Sequence, residues 1–467
     1  MMPTTEHIDV AEYIEIKEDR TSGFVGAYLG WAFDGYETFA TVLVAPAIVN
    51  DLVGPGIARS SPLYVGGILA ATLVAWGFGG LAGGILADYV GRRRVLILSI
   101  LWYSIFAAVT AFSNNYVIFL ALRFLTGIGM GAEWAAGSSL VSELWPPKWR
   151  GRAIAVLQSG FGFGFIAATV AWHYVNTGSS GSWRWMYLIG AAPAVVALLI
   201  RRKVRDPKLW VEANAKRRAI KEDLGSGVAV SARSREFAKL TVSQIFESPL
   251  LRKRVGLLLL AALSTTLGWW AVSAWIPQFV AQQVAGKVAD VPQAVTYVVI
   301  AYNVVGIIGY LVMGWLADTI GRKPTMMIYF AGSLIAVPLL FLVPAGPVAL
   351  IGLAGINGFF TLGQWTWIAL YPTELFPTHV RSTAITLVFN TTRFVVAVGT
   401  LLSAEAVHLL GSISTAATVI GSAYVVGLLV TPWLGPETKG LPLPDFDDLK
   451  YDDVVNSSNL KFGMQHG

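Results

Sequence analysis

The chain has 467 residues, 55% of them hydrophobic and only 13% charged, with a net charge of +6 and no cysteine. A soluble domain carries about a quarter of its residues charged, so the composition excludes an ordinary globular enzyme. Without cysteine there is no disulfide framework and no thiolate metal or redox chemistry.

Runs of about twenty apolar residues, enough to cross a bilayer, recur along the whole length. Residues 1–22 read as a polar, mainly acidic tail, and no basic segment introduces a short apolar run, so no cleavable signal peptide is expected. Six spans are expected near 23–49, 62–87, 93–113, 115–142, 150–173 and 183–200, making a first bundle over 23–200. A linker follows at 201–253. Six more spans near 254–283, 292–317, 324–344, 346–371, 381–403 and 412–434 make a second bundle over 254–434, before a tail at 435–467. All but five of the 34 lysines and arginines fall in the termini and in loops on their side. The exceptions are Arg59, Arg184 and Lys287 opposite, and Arg123 and Arg393 within spans. That asymmetry places both termini in the cytoplasm, so the positive charge reports orientation in a plasma (inner) membrane and no nucleic-acid partner is expected.

The first span contains WAFDGYETF, with Asp34 and Glu37 on one helical face. The second is glycine-rich and ends in GILADYVGRRR, from Gly84 through Asp88, Gly91 and Arg92. The third has no mid-span charge and is expected to face lipid. Arg123 and Glu133 lie on the fourth, about 15 Å apart along the helix, too far to pair with each other. The turn SELWPPKWRGRA, with Glu143 and Arg150, leads to a fifth span that opens with Gln158. WRWMYLIG begins the sixth.

In the linker, residues 207–223 have helical spacing and GSGVAVSARS reads as flexible. The seventh span carries Trp269, Trp270 and Trp275. The eighth ends in GWLADTIGRKP, a second copy of the earlier signature, with Gly314, Asp318, Gly321 and Arg322. The tenth holds Asn357, Gln364 and Trp365 and ends in TELFPTHVRSTA, with Glu374 and Arg381; the eleventh holds Asn390 and Arg393. In this register Glu133–Trp134 matches Gln364–Trp365. The fold is therefore an all-α membrane protein made of two repeated six-helix bundles. In each signature an aspartate one turn from a helix end can meet an arginine or a neighbouring helix N-terminus.

Five ionisable groups remain at hydrocarbon depth: Asp34, Glu37, Arg123, Glu133 and Arg393. Each costs about 2.5–3.5 kcal/mol on insertion scales, so by default they mark a substrate or ion path. Arg393 has no carboxylate at similar depth in its own half. Either a substrate carboxylate is its anion, or it is structural, pairing with Glu37 or Glu133 across the interface or bonding helix carbonyls. Asp34, Glu37 and Glu133 are candidate proton sites, with Arg123 as their partner. No Walker loop, HExxH or GxSxG occurs and the five histidines form no cluster, so neither catalysis, metal nor cofactor is expected.

The paired GxLADxxGRR-type turns resemble those of the major facilitator superfamily. LGWAFDGYETF, GMGAEWAAGSSLVSELWP and WRWMYLIGAAPA are similar to the sialate/lactate and aromatic-acid proton symporters within it. The resemblance implies a monomeric secondary carrier working by alternating access. It would move a small organic acid with protons, driven by an ion or substrate gradient. Substrate would be bound by Arg393, Asn390, Gln364, Trp365, Asn357, Trp270 and Gln158. Proton coupling would rest on Asp34, Glu37, Arg123 and Glu133. Gating would rest on Gly84, Asp88, Gly91, Arg92, Gly314, Asp318, Gly321, Arg322, Glu143, Arg150, Glu374 and Arg381. RDPKLW and GPETKG resemble sugar-porter loops, which makes a proton-coupled sugar porter the alternative.

Overall fold

A computed structural model describes residues 10–55, 62–177, 179, 181–193, 195 and 204–444. Among these, eleven helices are long and apolar enough to cross a membrane. Numbered by expected position, they are span 1 (Arg20–Leu52), 2 (Leu63–Val90), 3 (Arg92–Thr110), 4 (Tyr116–Leu144), 5 (Arg150–Val175), 7 (Pro249–Val284), 8 (Val291–Ile320), 9 (Arg322–Leu342), 10 (Pro347–Leu375), 11 (Arg381–Leu401) and 12 (Ile413–Trp433). Span 6 begins as the helix Trp183–Ile189; most of its expected remainder lies outside the described residues, as do 1–9 and the tail beyond 444.

Three features depart from expectation. The helix of span 1 starts at Val10, so residues 10–22 are not a free tail. No glycine or proline interrupts that stretch before Gly23, and its alternating acids, lysine and aliphatics are good helix formers. Spans 10 and 11 are each broken near the middle, at Gln364 and Asn390, where one helix ends and another begins. The linker is more regular than expected: three helices, Lys208–Gly225, Ala232–Ala238 and Thr241–Glu247, pack beneath the bundle on the side of the basic loops. Trp210 Nε1 and Arg217 Nη1 donate to the Asp88 carbonyl at 3.1 and 2.8 Å, and Arg217 Nη2 donates to the His379 carbonyl at 2.7 Å. One linker side chain therefore touches both halves of the chain.

The halves meet along two seams, span 2 against 11 and span 5 against 8. Glycine makes each seam close. A β-carbon at Gly80 would enter the Asn390 side chain, and one at Gly314 would strike Ala155 and the Gly151 carbonyl. Span 3 presents Leu98, Trp102, Ile105 and Val109 outward, as a lipid-facing helix does.

Candidate functional site

The two copies of the repeated signature close the basic face by exchange. Gly91 and Gly321 enter the helices after them at φ 113° and 109°, a region that strains any L side chain. The turn they make sends the next arginine back under the preceding helix. Arg92 Nη1 donates to the Ala87 carbonyl at 3.0 Å and Arg322 Nη1 to the Ala317 carbonyl at 2.7 Å, satisfying helix-end oxygens that lack a partner within the helix.

The aspartates then reach across. Asp88 accepts from Ser382 N at 3.2 Å, Thr383 N at 2.9 Å and Thr383 Oγ1 at 2.8 Å, at the start of span 11. Asp318 accepts from Gly151 N and Arg152 N at 3.0 Å each, at the start of span 5. Each half thus puts a carboxylate on a helix N-terminus of the other, where free N–H groups and the helix dipole favour an anion. The glutamates exchange as well. Glu143 accepts from Arg92 of its own half at 3.0 Å and from Arg381 of the other at 2.6 Å. Glu374 accepts from Arg322 at 2.8 Å and from Arg150 at 3.0 Å. All of these side chains are buried.

A second layer caps the same turns. Asp206 accepts from Arg93 N at 2.9 Å, and Glu437 accepts from Arg322 N and Lys323 N at 2.8 and 3.0 Å. These acids belong to RDPKLW and GPETKG, the two stretches that resemble sugar-porter loops; here they lie at the closure and not at mid-depth. Burial pushes the Asp206 carboxyl up, against the opposing pull of the Arg93 N–H and of Arg92, Arg93 and Arg94. Behind the closure His379 bonds Gln244 at 3.0 Å. Burial, then the charges of Arg217 and Arg381, hold its imidazole well below the usual histidine range, so it is neutral. Among the described residues, every ion pair that joins the two halves lies on this face. On the opposite face, Asp51 pairs with Arg184 at 2.7 Å within the first half.

At mid-depth the halves differ. In the first, Glu37 pairs with Arg123 Nη1 at 2.8 Å, both fully buried, and the Arg123 guanidinium lies 5.0 Å from the Tyr187 ring. Asp34 and Glu133 face each other within hydrogen-bonding reach. Among the described residues no donor serves either oxygen of Asp34 or Oε2 of Glu133, so the two acids are placed to share a proton. A β-carbon at Gly30 would collide with Glu133 Oε1, so this contact needs glycine on span 1.

The second half contributes Arg393. It is 3% exposed, its Nε has no hydrogen-bond partner, and it makes no ion pair among the described residues. Its guanidinium sits over the Trp76 ring at 3.6 Å, with Phe389 at 4.5 Å. The expected alternative, pairing with Glu37 or Glu133, is not what forms: Glu37 is taken by Arg123 and Glu133 by Asp34.

Between these groups the interface is aromatic. Trp134 and Phe161 of the first half meet Phe389 and Trp269 of the second, with ring centroids 4.1 and 6.4 Å apart, and Trp31 and Trp365 pack behind them on Phe161 and Trp269 within their own halves. Gln158 bridges the halves, accepting from Trp134 Nε1 at 3.2 Å and donating to the Trp365 carbonyl at 3.1 Å. Of the expected substrate contacts, Gln158, Trp365, Asn390 and Arg393 come to this interface. Asn390 bonds Thr386 Oγ1 at 2.7 Å against Gly80.

Three expected contacts do not come there. Gln364 bonds Thr265 and Ser333 inside the second bundle, while the next residue, Trp365, reaches the first half through its carbonyl on Gln158. Asn357 is buried against Thr361 in the same bundle. Trp270 is only half-buried, and its neighbour Trp269 takes the central place, since one residue along a helix is a turn of about 100°. Sequence reasoning missed Trp31, Trp76, Trp134, Phe161 and Phe389. Its one signal for them was register, since Trp134 and Trp365 are matched positions of the repeat and both reach the interface.

Comparison with known proteins matches residues 23–449 to the family described as "Sugar (and other) transporter". The chain is 28% identical to a probable 4-methylmuconolactone transporter of Cupriavidus pinatubonensis, over 91% of this chain and 92% of that one. It is 28% identical to the cis,cis-muconate transport protein of Acinetobacter baylyi, over 78% and 84%. Its fold is that of the major facilitator superfamily proton:xylose symporter XylE bound to 6-bromo-6-deoxy-D-glucose. The TM-score is 0.74 with 93% and 99% of the two chains covered, and at 19% identity the likeness bears on fold alone.

Proposed function

The chain belongs to the sugar (and other) transporter family of the major facilitator superfamily, a twelve-helix multi-pass membrane carrier, and on that premise we propose that it imports a small aromatic or unsaturated organic acid together with protons. The observation that carries the reading is Arg393: a buried guanidinium at the interface of the halves, on aromatic faces, with no ion-pair partner among the described residues. Such a group fits a carboxylate bidentately, and the surrounding Trp and Phe rings fit a planar body. The printed names of relatives point the same way: besides muconolactone and muconate, they include niacin and gentisate transporters.

Protons are carried by the acids of the first half. Asp34 and Glu133 share one; Glu37 is held by Arg123 and sets the shape of the site. When the acid pair gives up its proton, Asp34 becomes the anion that competes with substrate for Arg393, which couples proton loss to release. The basic face is cytoplasmic by the positive-inside rule, the membrane is the inner (plasma) membrane, and the carrier acts as a monomer. In this state the Asp88 and Asp318 exchange keeps the cytoplasmic face shut. Inward opening separates both aspartates from the opposite helix N-termini, and the halves rock about the central site. The sugar alternative draws on RDPKLW and GPETKG, but the acids of those stretches cap the gate. A neutral sugar gives Arg393 no counter-ion.

Counterflow in proteoliposomes tests this, with labelled niacin, gentisate, cis,cis-muconate and xylose, wild type beside Arg393→Ala. Exchange of at least one acid, reduced at least a hundredfold in the variant, is the expected outcome. Xylose exchange that survives the substitution would overturn the substrate class.

A further inference from the structure

Behind the closure of the basic face, His379 is a buried titratable group that no step of transport uses. It lies between spans 10 and 11, in the stretch TELFPTHVRSTA, and is 2% exposed. Gln244 of the linker helix Thr241–Glu247 faces it. The Gln244 Nε2 donates to the carbonyls of Phe237 and Lys239 at 3.1 and 2.8 Å, which leaves its Oε1 as the acceptor for the His379 ring at 3.0 Å. The imidazole therefore donates from Nε2, the one proton of its neutral form. The Phe237 ring, from the helix Ala232–Ala238, covers it at 4.6 Å between centroids. A second proton would put a buried charge among cations. The helix Lys208–Gly225 brings Lys216 and Arg217, the start of span 3 brings Arg92 and the start of span 11 brings Arg381; burial first, then these four charges, hold the ring neutral. The neighbouring acids are committed elsewhere, Asp88 to Ser382 and Thr383, and Glu143 to Arg92 and Arg381. The backbone is gripped from the first half as well: Arg92 Nη2 donates to the Thr378 carbonyl at 2.8 Å, and Arg217, which also holds the Asp88 carbonyl, donates to the His379 carbonyl at 2.7 Å. Parting of the halves takes Arg92 away and lets water in, so the ring returns toward the ordinary histidine value of about 6.5.

We propose that His379 is a cytoplasmic pH sensor of the gate: it takes up a second proton only while the basic face is open, and must lose it before that face can close. The proposal rests on the reading that this face opens, and not on the identity of the cargo. It makes the histidine a brake. A carrier that brings in an acid with protons acidifies the compartment it fills, and below about pH 6.5 a growing share of open carriers holds the extra proton. A group that binds its proton more tightly in the open form favours that form as pH falls. With a value of about 6.5 in the open form and a neutral ring in the closed one, the open-to-closed ratio rises about tenfold from pH 7.5 to pH 5.5.

The chain has no cysteine, so two introduced ones can carry spin labels. Lys148→Cys and Arg252→Cys lie exposed on the basic face, one in each half, and the distance between them, measured by pulsed electron paramagnetic resonance in lipid nanodiscs, reports opening. The labelled carrier is compared with its His379→Gln and His379→Phe variants at pH 7.5, 6.5 and 5.5. The acid pair and the gate carboxylates are present in all three proteins, so their titration cancels in the comparison. Expected is an open-to-closed ratio that rises about tenfold more between pH 7.5 and 5.5 with His379 than in either variant. The glutamine variant, which can still donate to Gln244, matches the parent at pH 7.5. The same pH dependence with and without His379 overturns the proposal, as does a glutamine variant more open by one factor at every pH, the mark of a residue that only packs. If the glutamine variant does not insert, the slope of the phenylalanine variant decides alone by the same criterion. A distance that changes at no pH in any of the three proteins removes the opening of this face, and the proposal with it, a result distinct from a pH dependence that ignores His379.

Discussion

At the basic face the two halves are copies of each other; at mid-depth they are opposites. Asp88 on Ser382 and Thr383 mirrors Asp318 on Gly151 and Arg152, and Glu143 between Arg92 and Arg381 mirrors Glu374 between Arg322 and Arg150. About 15 Å deeper, the ten residues of one helix from Glu143 to Glu133, the symmetry of register survives while the symmetry of charge does not. Glu133 and Gln364 occupy matched positions and each turns inward within its own bundle, one to Asp34 and the other to Thr265 and Ser333. Trp134 and Trp365, the next residues, both turn to the interface. The first half holds three buried acids and one arginine; the second holds one arginine and no acid at that depth. The contrast separates the motion from the cargo. On the proposed reading, the gate is a duplicated device that would serve any substrate, and the asymmetric middle would specify an anion and its protons.

The largest effect that sharpens this contrast is expected from the acid pair. Asp34→Asn removes the ionisable partner of Glu133, and with it the group that competes with substrate for Arg393. Accumulation against a gradient, driven by an imposed pH difference, is expected to collapse to a ratio near one while counterflow continues. Uptake that still concentrates the acid would place the coupling proton elsewhere, with Glu37 the next group to replace.

A smaller effect, equal in the two halves, is expected at the gate. Asp88→Asn and Asp318→Asn each exchange a carboxylate for an amide on two helix N–H groups. Hydrogen bonds to charged groups contribute about 1.5–3 kcal/mol each, and every 1.4 kcal/mol is about tenfold. Each variant should insert normally and slow counterflow about tenfold, measured as initial rate at saturating acid. A slow Asp88→Asn beside a wild-type Asp318→Asn would break the symmetry on which the gate is described.

Much of this was legible in the sequence. The duplication, the spans and the residues that pair across the basic face follow from a charged signature that appears twice, because membrane spans and fixed charges leave strong marks in a chain. The mid-membrane ionisable groups could be listed for the same reason. Their pairing could not. Asp34 and Glu37 share a face of span 1 about one turn apart, and depth decides which of them Arg123 meets. A rotation of one residue, about 100°, separates Trp269 from Trp270. Gln364 was misplaced because the chain does not reveal that Thr265 and Ser333 take both ends of its amide inside the second bundle. The linker helices were under-read because their order depends on packing beneath the bundle, as with Trp210 and Arg217 on the Asp88 carbonyl.

The most direct test of Arg393 as the carboxylate site is binding by the purified carrier of an acid beside its uncharged amide, niacin against nicotinamide, in wild type and in Arg393→Gln. The two ligands share ring and shape and differ in the group that the guanidinium would hold. Binding of the acid at least tenfold tighter than the amide, with that preference lost in the variant, is the predicted result. Equal binding of acid and amide in the wild type, or a preference that persists without Arg393, would contradict it.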